Sequence, residues 1–283
     1  MIVDSEFPGG NIVVESIHGS DAFVHQDLRD TSRDWFYWYL RVRSAQGQDL
    51  HFHFTRSRAV GVSGPAVSVD GGVTWRWLGE NAIRENGFHY RVPQVSDEVR
   101  LSFGMPYVGS DLRRFLHWLS EDDACLEQNT LCSTRDGRDV EILRFGCLDG
   151  KPKCRVAITC RHHCCEMMAN YVLEGLVRWV LRSVDEAAEW VRRNVELVAV
   201  PLIDKDGVEK GDQGKGRQPH DHGRDYQGES MYGSTRALRQ FLPEWSRGRL
   251  HLALDLHCPH ISGPHNEVIY LVGSENERNA SEQ

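Results

Sequence analysis

Apolar and polar positions alternate with a period of two in the first part of the chain. Leu50-His51-Phe52-His53-Phe54 alternates strictly, which places one face of a strand against a core and the other toward solvent. Runs rich in aromatic and β-branched residues lie at 35–43, 73–77 and 99–103, separated by turn-forming residues such as Asp70-Gly71-Gly72. Several short strands with regular turn signals predict a small antiparallel β-sandwich over residues 1–105.

The pattern changes after residue 105, where apolar residues begin to recur at helical spacing. The predicted helices lie at 110–119, 167–181 and 185–193, and the predicted strands at 140–145, 155–159, 195–202, 250–256 and 268–272. Alternating strands and helices indicate an α/β domain with a parallel or mixed sheet, which we expect over residues 106–283. Ligands of such sheets gather at the carboxyl ends of the strands.

Composition and charge narrow the function. The formal net charge of −8 argues against a dedicated nucleic-acid-binding protein, which would need a basic face for its phosphate contacts. No run approaches the ~18 apolar residues of a membrane-spanning helix, so we expect no membrane partner. The first ten residues, MIVDSEFPGG, lack the basic and apolar regions of a signal peptide. The expected compartment is therefore the cytoplasm.

The eight cysteines do not form a recognisable metal or disulfide motif. No pair shows the C-x-x-C spacing of a zinc knuckle, and without a secretory signal we expect reduced thiols that pack as small hydrophobic side chains. A nucleophilic thiol at Cys164, Cys165 or Cys258 is an alternative, because histidines lie nearby in the sequence.

Two polar clusters follow predicted strands. In the first, His163 and Glu166 are three residues apart at the start of a predicted helix, a spacing that can direct both side chains at one point. In the second, His257 follows an apolar strand and Asp255 could orient it. Two histidines and one carboxylate, with a fourth position left for water, are typical of a catalytic zinc site. A capping glutamate beside a surface histidine is the simpler interpretation of the first cluster.

A third cluster, residues 201–226, is so rich in glycine and polar residues that we expect an irregular loop. It does not complete the calcium-binding loop of an EF-hand or a phosphate-binding loop. Arg217 and Arg224 remain as candidates for bidentate binding of a carboxylate. A solvated charged loop without a function is the alternative.

Together these segments resemble the M14 family of zinc metallocarboxypeptidases. Residues 161–166 resemble the family's His-x-x-Glu motif, residues 204–208 its Asn-Pro-Asp-Gly-Val segment, residues 221–226 its Asp-Leu-Asn-Arg segment, and residues 254–257 the strand that bears the last zinc ligand. The stretch Asp34-Trp35-Phe36-Tyr37 and residues 105–112 are similar to the cytosolic-carboxypeptidase branch. The resemblance extends over residues 30–275.

The resemblance implies roles for individual residues. His163, Glu166 and His257 would bind one zinc ion per chain, Arg224 would bind the terminal carboxylate of the substrate, and Arg217 would stabilise the oxyanion. Gly223 stands where the family has an asparagine that also binds this carboxylate. The family's general base is a glutamate on a later strand, and none of Glu267, Glu275, Glu277 and Glu282 has a matching context. We therefore expect the C-terminal part of the fold, with the base and the specificity pocket, to be missing.

The sequence predicts a zinc-dependent metallocarboxypeptidase that removes the C-terminal residue of a peptide or protein. A zinc amidase acting on small N-acyl amino acids is an alternative, because related zinc folds use the same ligands. A second alternative is a zinc-containing module that binds peptide C-termini without cleaving them.

Overall fold

The computed structural model describes residues 1–33, 35–57, 59–119 and 125–258. The strand predicted at 268–272 lies outside these residues. The described residues of the N-terminal part form ten strands: β1 (Ile2–Asp4), β2 (Val13–His18), β3 (Asp21–His25), β4 (Tyr39–Arg43), β5 (Asp49–Phe54), β6 (Ala66–Ser68), β7 (Arg76–Trp77), β8 (Ile83–Arg84), β9 (Gly87–Arg91) and β10 (Glu98–Ser102).

These strands form two five-stranded sheets, in the orders β1-β4-β10-β6-β7 and β2-β3-β5-β9-β8. Strand β5 buries Leu50, Phe52 and Phe54 and exposes the residues between them, as the alternation predicts. The expectation of a purely antiparallel sandwich is wrong in one respect, because β3 and β5 pair in parallel. The run at 35–43 becomes a strand only from Tyr39 onward.

The remainder of the described chain alternates helices and strands. Its elements are α1 (Gly109–Leu119), β11 (Leu126–Ser133), β12 (Asp139–Gly146), β13 (Cys154–Cys160), α2 (Met168–Arg182), α3 (Glu186–Asn194), β14 (Val195–Val200), α4 (Lys205–Lys210), α5 (Gly233–Ser246) and β15 (Leu250–Leu256). The sheet has the order β11-β12-β14-β13-β15, with β13 parallel to both of its neighbours and β12 antiparallel to β14. The predicted mixed α/β fold is confirmed.

Local sequence explains the positions of the helices. Helix α2 buries Leu173, Val177 and Val180 along one face, at the spacing of successive helical turns. Helix α3 begins after Asp185, whose carboxylate accepts a hydrogen bond from the amide of Ala188. None of the helices in the described part of the chain is both long and apolar enough to cross a membrane.

One apolar core runs through both parts of the chain. It includes Trp38 and Phe52 from the N-terminal sheets and Phe145, Ile158 and Val177 from the α/β part. The two parts therefore share buried surface. The domain boundary at residues 105/106 stays a prediction.

Three elements depart from the sequence-based expectations. Strand β11 and helix α5 were not expected, and α4 lies in the segment expected to be an irregular loop. Helix α4 forms because the carboxylate of Asp204 accepts a hydrogen bond from the amide of Gly207 (3.0 Å), and it ends at Gly211, where φ is +74°. A short 3-10 turn, His222–Arg224, follows in the same segment.

Candidate metal centre

The carboxyl ends of three neighbouring strands bring the polar clusters together. Cys160, the last residue of β13, lies opposite Leu256 of β15, and β14 ends one position away on the other side. His163 and Glu166 follow β13, and His257 follows β15. Residues distant in sequence therefore meet at one edge of the sheet, as expected for a ligand site in an α/β fold.

His163, Glu166 and His257 form a compact set of possible metal ligands. Their ligand atoms all lie within 4.8 Å of one another. The Nδ1 atom of His163 is 3.0 Å from Glu166 Oε1, and the Nδ1 atom of His257 is 2.6 Å from Glu166 Oε2. Two imidazole nitrogens and one carboxylate converging on one point are the donor set of a catalytic zinc site.

A second carboxylate lies behind each histidine. The Nε2 atom of His163 is 3.6 Å from Asp221, and the Nε2 atom of His257 is 2.7 Å from Asp255. A carboxylate on the far nitrogen fixes the ring orientation and tautomer of a metal-binding histidine. His163, Glu166 and His257 could therefore hold a metal ion, with Asp221 and Asp255 placed to orient the two histidine rings.

The charges of the centre also suit a cation. Burial raises the pKa of Glu166, but hydrogen bonds from His163 and His257 outweigh it and lower that pKa to about 2. Burial likewise opposes the charged form of His257, yet its hydrogen bonds with Asp255 and Glu166 raise its pKa to about 10. Three carboxylates, those of Glu166, Asp221 and Asp255, surround the two imidazoles.

A chain of hydrogen bonds extends from this centre into the protein. Asp255 Oδ1 accepts from Nδ1 of His162 (2.7 Å) and from the hydroxyl of Thr159 (2.9 Å). Because Nδ1 of His162 donates to a carboxylate, its Nε2 accepts from the hydroxyl of Tyr226, 2.6 Å away. His162 and Tyr226 were missed in the sequence, where the only signal was the position of His162 next to His163.

The turn that carries His163 is held by Arg161. The backbone of Arg161 is left-handed, with φ of +65°, which is uncommon for a residue other than glycine. The buried guanidinium donates to the carbonyl of Cys164 (2.9 Å), the carbonyl of Tyr107 (2.9 Å) and the side chain of Asn170 (2.8 Å). These bonds fix the backbone on both sides of the first histidine.

The candidate metal centre opens into a cavity of about 680 Å³. Its wall combines residues of the centre with the segment 215–221, Gly223 and Arg224. The N-terminal part of the chain contributes Ser32, Arg33 and Trp35. A cavity of this size, with a few convergent polar groups, is typical of a small-molecule or peptide site.

Comparisons with known proteins give a curated relative and several solved structures of similar fold. The chain is 23% identical over 277 residues to cytosolic carboxypeptidase 6 of Caenorhabditis elegans, which covers 85% of this chain and 59% of that protein. A metallo-carboxypeptidase from Burkholderia cenocepacia superposes with a TM-score of 0.77 at 20% identity, over 91% of this chain and 70% of that chain. One from Pseudomonas aeruginosa, in complex with (2-guanidinoethylmercapto)succinic acid, gives 0.68 at 19% identity, over 92% of this chain and 70% of that chain. No family model matches.

This chain has a metallocarboxypeptidase-like fold. The structural matches establish the carboxypeptidase fold. The chain spans about three fifths of the length of the curated relative it matches.

Arg217 lies in the wall of this cavity and forms ion pairs with three carboxylates. Its guanidinium nitrogens are 2.8 Å from Asp204, 3.0 Å from Asp212 and 3.2 Å from Asp30. Burial opposes the charge on Arg217, but these carboxylates outweigh it and raise its pKa. The guanidinium already forms ion pairs within the protein. Its role in stabilising the substrate's oxyanion, which the resemblance implies, stays a prediction.

Arg224 and Gly223 lie at the cavity surface. The side chain of Arg224 is exposed, and none of the described residues forms a hydrogen bond or close ion pair with its guanidinium. A Cβ atom at Gly223 would lie 3.6 Å from Nε2 of His163. The glycine therefore sits directly beside the metal centre, where a larger side chain would contact the first histidine.

The remaining sequence-based candidates lie elsewhere. Glu267, Glu275, Glu277 and Glu282 are outside the described residues. All eight cysteines carry free thiols. Burial raises the pKa of Cys164 and Cys165 well above the usual value, and that of Cys258 to about 11. These thiols are protonated at neutral pH, which argues against a thiolate nucleophile.

Proposed function

We propose that this chain is a zinc-dependent metallocarboxypeptidase that hydrolyses the C-terminal peptide bond of a peptide or protein. The observation that carries the proposal is the convergence of His163, Glu166 and His257 on one point beside a cavity. The names of the curated relative and the structural neighbours support the same activity. A cytoplasmic location belongs to the same proposal and is supported by the name of the curated relative.

In this proposal one zinc ion is held by His163, Glu166 and His257, and Asp221 and Asp255 orient the two histidines. The ion would polarise the scissile carbonyl and lower the pKa of a bound water toward neutrality. Hydrolysis adds the oxygen and one hydrogen of water to the carbonyl carbon, while the carbon–nitrogen bond breaks and the second hydrogen goes to the leaving nitrogen.

Arg224 binds the terminal carboxylate of the substrate in this proposal. Its guanidinium is exposed on the cavity wall, next to Gly223 and the candidate metal ligand His163. A guanidinium can bind a carboxylate through two parallel hydrogen bonds. A binding site for this group at the end of the cavity confines cleavage to the last residue.

The first test is metal content. Purified protein should contain zinc, and His163→Ala should remove most of it. His51→Ala, which changes an exposed histidine on β5, serves as the matched control and should keep the metal. Equal zinc in wild type and His163→Ala would contradict the site.

The second test is the product. Zinc-loaded protein should release single C-terminal residues from peptides with a free C-terminus, detected by mass spectrometry. Release of an amino acid only from N-acyl amino acids would instead establish the amidase. Peptide binding that requires zinc, without any cleavage, would establish the non-catalytic module.

A further inference from the structure

Lys215 lies in the wall of the cavity beside the metal centre. Its ammonium nitrogen is 3.4 Å from Glu166 Oε1 and 5.1 Å from the centre of the Trp35 ring. The side chain is 36% exposed, so it reaches the cavity as well as the centre. Arg33 and Arg224 also line the cavity, but neither forms an ion pair with a described residue of the metal centre.

The backbone around Lys215 is fixed by two glycines. Gly214 and Gly216 both have left-handed backbones, with φ of +75° and +69°. A Cβ atom at Gly214 would lie 2.5 Å from the amide nitrogen of Cys164 and 2.7 Å from its sulfur. The loop therefore packs directly on the turn that carries His163, which keeps Lys215 close to the centre.

The N-terminal part of the chain holds this loop from the other side. Asp30 accepts hydrogen bonds from the amides of Gln213 (3.0 Å) and Gly214 (2.8 Å). The hydroxyl of Thr31 donates to the carbonyl of Lys215 (2.9 Å). These contacts fix the backbone of Lys215, and the contacts of its ammonium with Glu166 and Trp35 hold the charge beside the centre before substrate arrives. Preorganised charge is what stabilises a transition state effectively.

We propose that Lys215 is the residue that stabilises the negative charge on the scissile carbonyl oxygen, in place of Arg217. The inference rests on the proposed hydrolase function. The carbonyl oxygen gains charge when water adds to the carbonyl carbon, and an ammonium beside it donates a hydrogen bond to that oxygen. Arg217 forms ion pairs with three carboxylates of the protein. Among the described lysines and arginines, Lys215 is the one that contacts a candidate metal ligand, Glu166.

A second consequence follows from the contact with Glu166. The ammonium of Lys215 and a zinc ion both draw on the charge of the same carboxylate, and they repel each other. Replacing Lys215 with a neutral side chain should therefore leave zinc affinity unchanged or increase it. A residue that only supported the shape of the centre would have the opposite effect.

The experiment compares Lys215→Met, Lys215→Arg and the control Lys210→Met. Lys210 is exposed at the end of α4 and pairs with Asp136 (2.6 Å), away from the metal centre. Three quantities are measured: zinc affinity by competition with a chelator, kcat and KM for a C-terminal peptide substrate, and the affinity of the zinc-loaded protein for a phosphinic peptide. The charged tetrahedral group of that inhibitor imitates the addition step and reports on Lys215 even without turnover.

We expect Lys215→Met to lower kcat and to weaken phosphinic-peptide binding, each by about 100-fold, without loss of zinc affinity. Lys215→Arg should restore part of both, and Lys210→Met should resemble wild type. Unchanged phosphinic-peptide affinity in Lys215→Met would overturn the proposal, and so would a parallel loss of zinc affinity. Absence of turnover in the wild type would overturn the proposed function, while the phosphinic peptide would still decide the role of Lys215.

Discussion

The carboxylate of Asp255 lies 2.7 Å from Nε2 of His257, on the side of the ring that faces away from Glu166. The same carboxylate accepts a hydrogen bond from His162, so one group links a candidate metal ligand to a buried histidine. The orientation of His257 therefore depends on Asp255 and His162, which are not among the candidate metal ligands.

Removing Asp255 should weaken metal binding without removing a ligand. We expect Asp255→Ala to lower zinc affinity by about 10- to 100-fold, because His257 loses the partner that fixes its tautomer and ring orientation. Competition with a chelator measures the change. Asp49→Ala, which removes an exposed aspartate paired with Arg91, should leave the affinity at the wild-type value. Equal losses in both variants would contradict the role of Asp255.

The hydroxyl of Tyr226 should contribute to stability through His162. Tyr226→Phe leaves Nε2 of a histidine that is only 3% exposed without its partner, and an unsatisfied buried group costs about 1–3 kcal/mol. Denaturant unfolding of the metal-free protein measures this loss. A double-mutant cycle with His162→Leu isolates the pair, and a coupling energy near zero would contradict the interaction.

The sequence indicated the regular elements best where one simple pattern dominated. Strand β15 has the predicted bounds, and α2 lies within one residue of its prediction at each end, because their apolar residues follow a single period. Strand β11 was missed because it alternates poorly and is largely exposed. Helix α5 was missed because it begins at Gly233 and contains Pro243, two residues that normally argue against a helix.

The sequence predicted the parts of the site that lie in local motifs, but not the contacts between distant segments. The three candidate ligands follow strand ends, a position that the sequence reveals. The surroundings of Arg217 and Lys215 depend on Asp30 and Thr31, which lie more than 180 positions earlier in the chain. No spacing rule connects residues so far apart. The sequence alone therefore could not show that Arg217, and not Lys215, forms ion pairs with three carboxylates of the protein.

Gly214 should be intolerant of a side chain for a reason beyond its backbone angle. Gly137 has the same φ of +75°, but a Cβ atom there would meet no atom of the described residues within 4 Å, so Gly137→Ala should cost only the left-handed strain of about 1–2 kcal/mol. Gly214→Ala should cost more, because its Cβ would meet the backbone of Cys164 at 2.5 Å. Denaturant unfolding compares the two variants. An equal cost would show that the loop does not pack tightly on the turn that carries His163.

Asp212 should make stability fall as the pH rises. Burial and the charge of Asp30 raise its pKa from 3.8 to about 6, although Arg29 and Arg217 act in the opposite direction and Asp204 adds to the increase. Because the folded protein binds this proton more tightly than the unfolded chain, its stabilising effect is present below about pH 4 and is lost as the pH rises through about 6.

The comparison of wild type with Asp212→Asn isolates this effect from the carboxyl groups whose pKa is lowered, such as Asp221 and Asp225. Between about pH 4 and about pH 7, the free energy of unfolding of the wild type should fall relative to the variant by up to about 3 kcal/mol. Urea unfolding at both pH values measures the difference. A constant difference would show that folding does not raise the pKa of Asp212.

Arg224 should increase the affinity only for peptides whose C-terminus carries a negative charge. For a peptide with a free carboxylate, Arg224→Ala should weaken binding by about 10- to 100-fold, the value of a hydrogen bond to a charged group. For the same peptide with an amidated C-terminus, wild type and variant should bind equally, because the partner of the guanidinium has been removed. Arg33→Ala, which changes another exposed arginine of the cavity, should not distinguish the two peptides in this way. If Arg224→Ala weakens both peptides to the same extent, the arginine contributes to the general charge of the cavity and does not bind the terminal carboxylate.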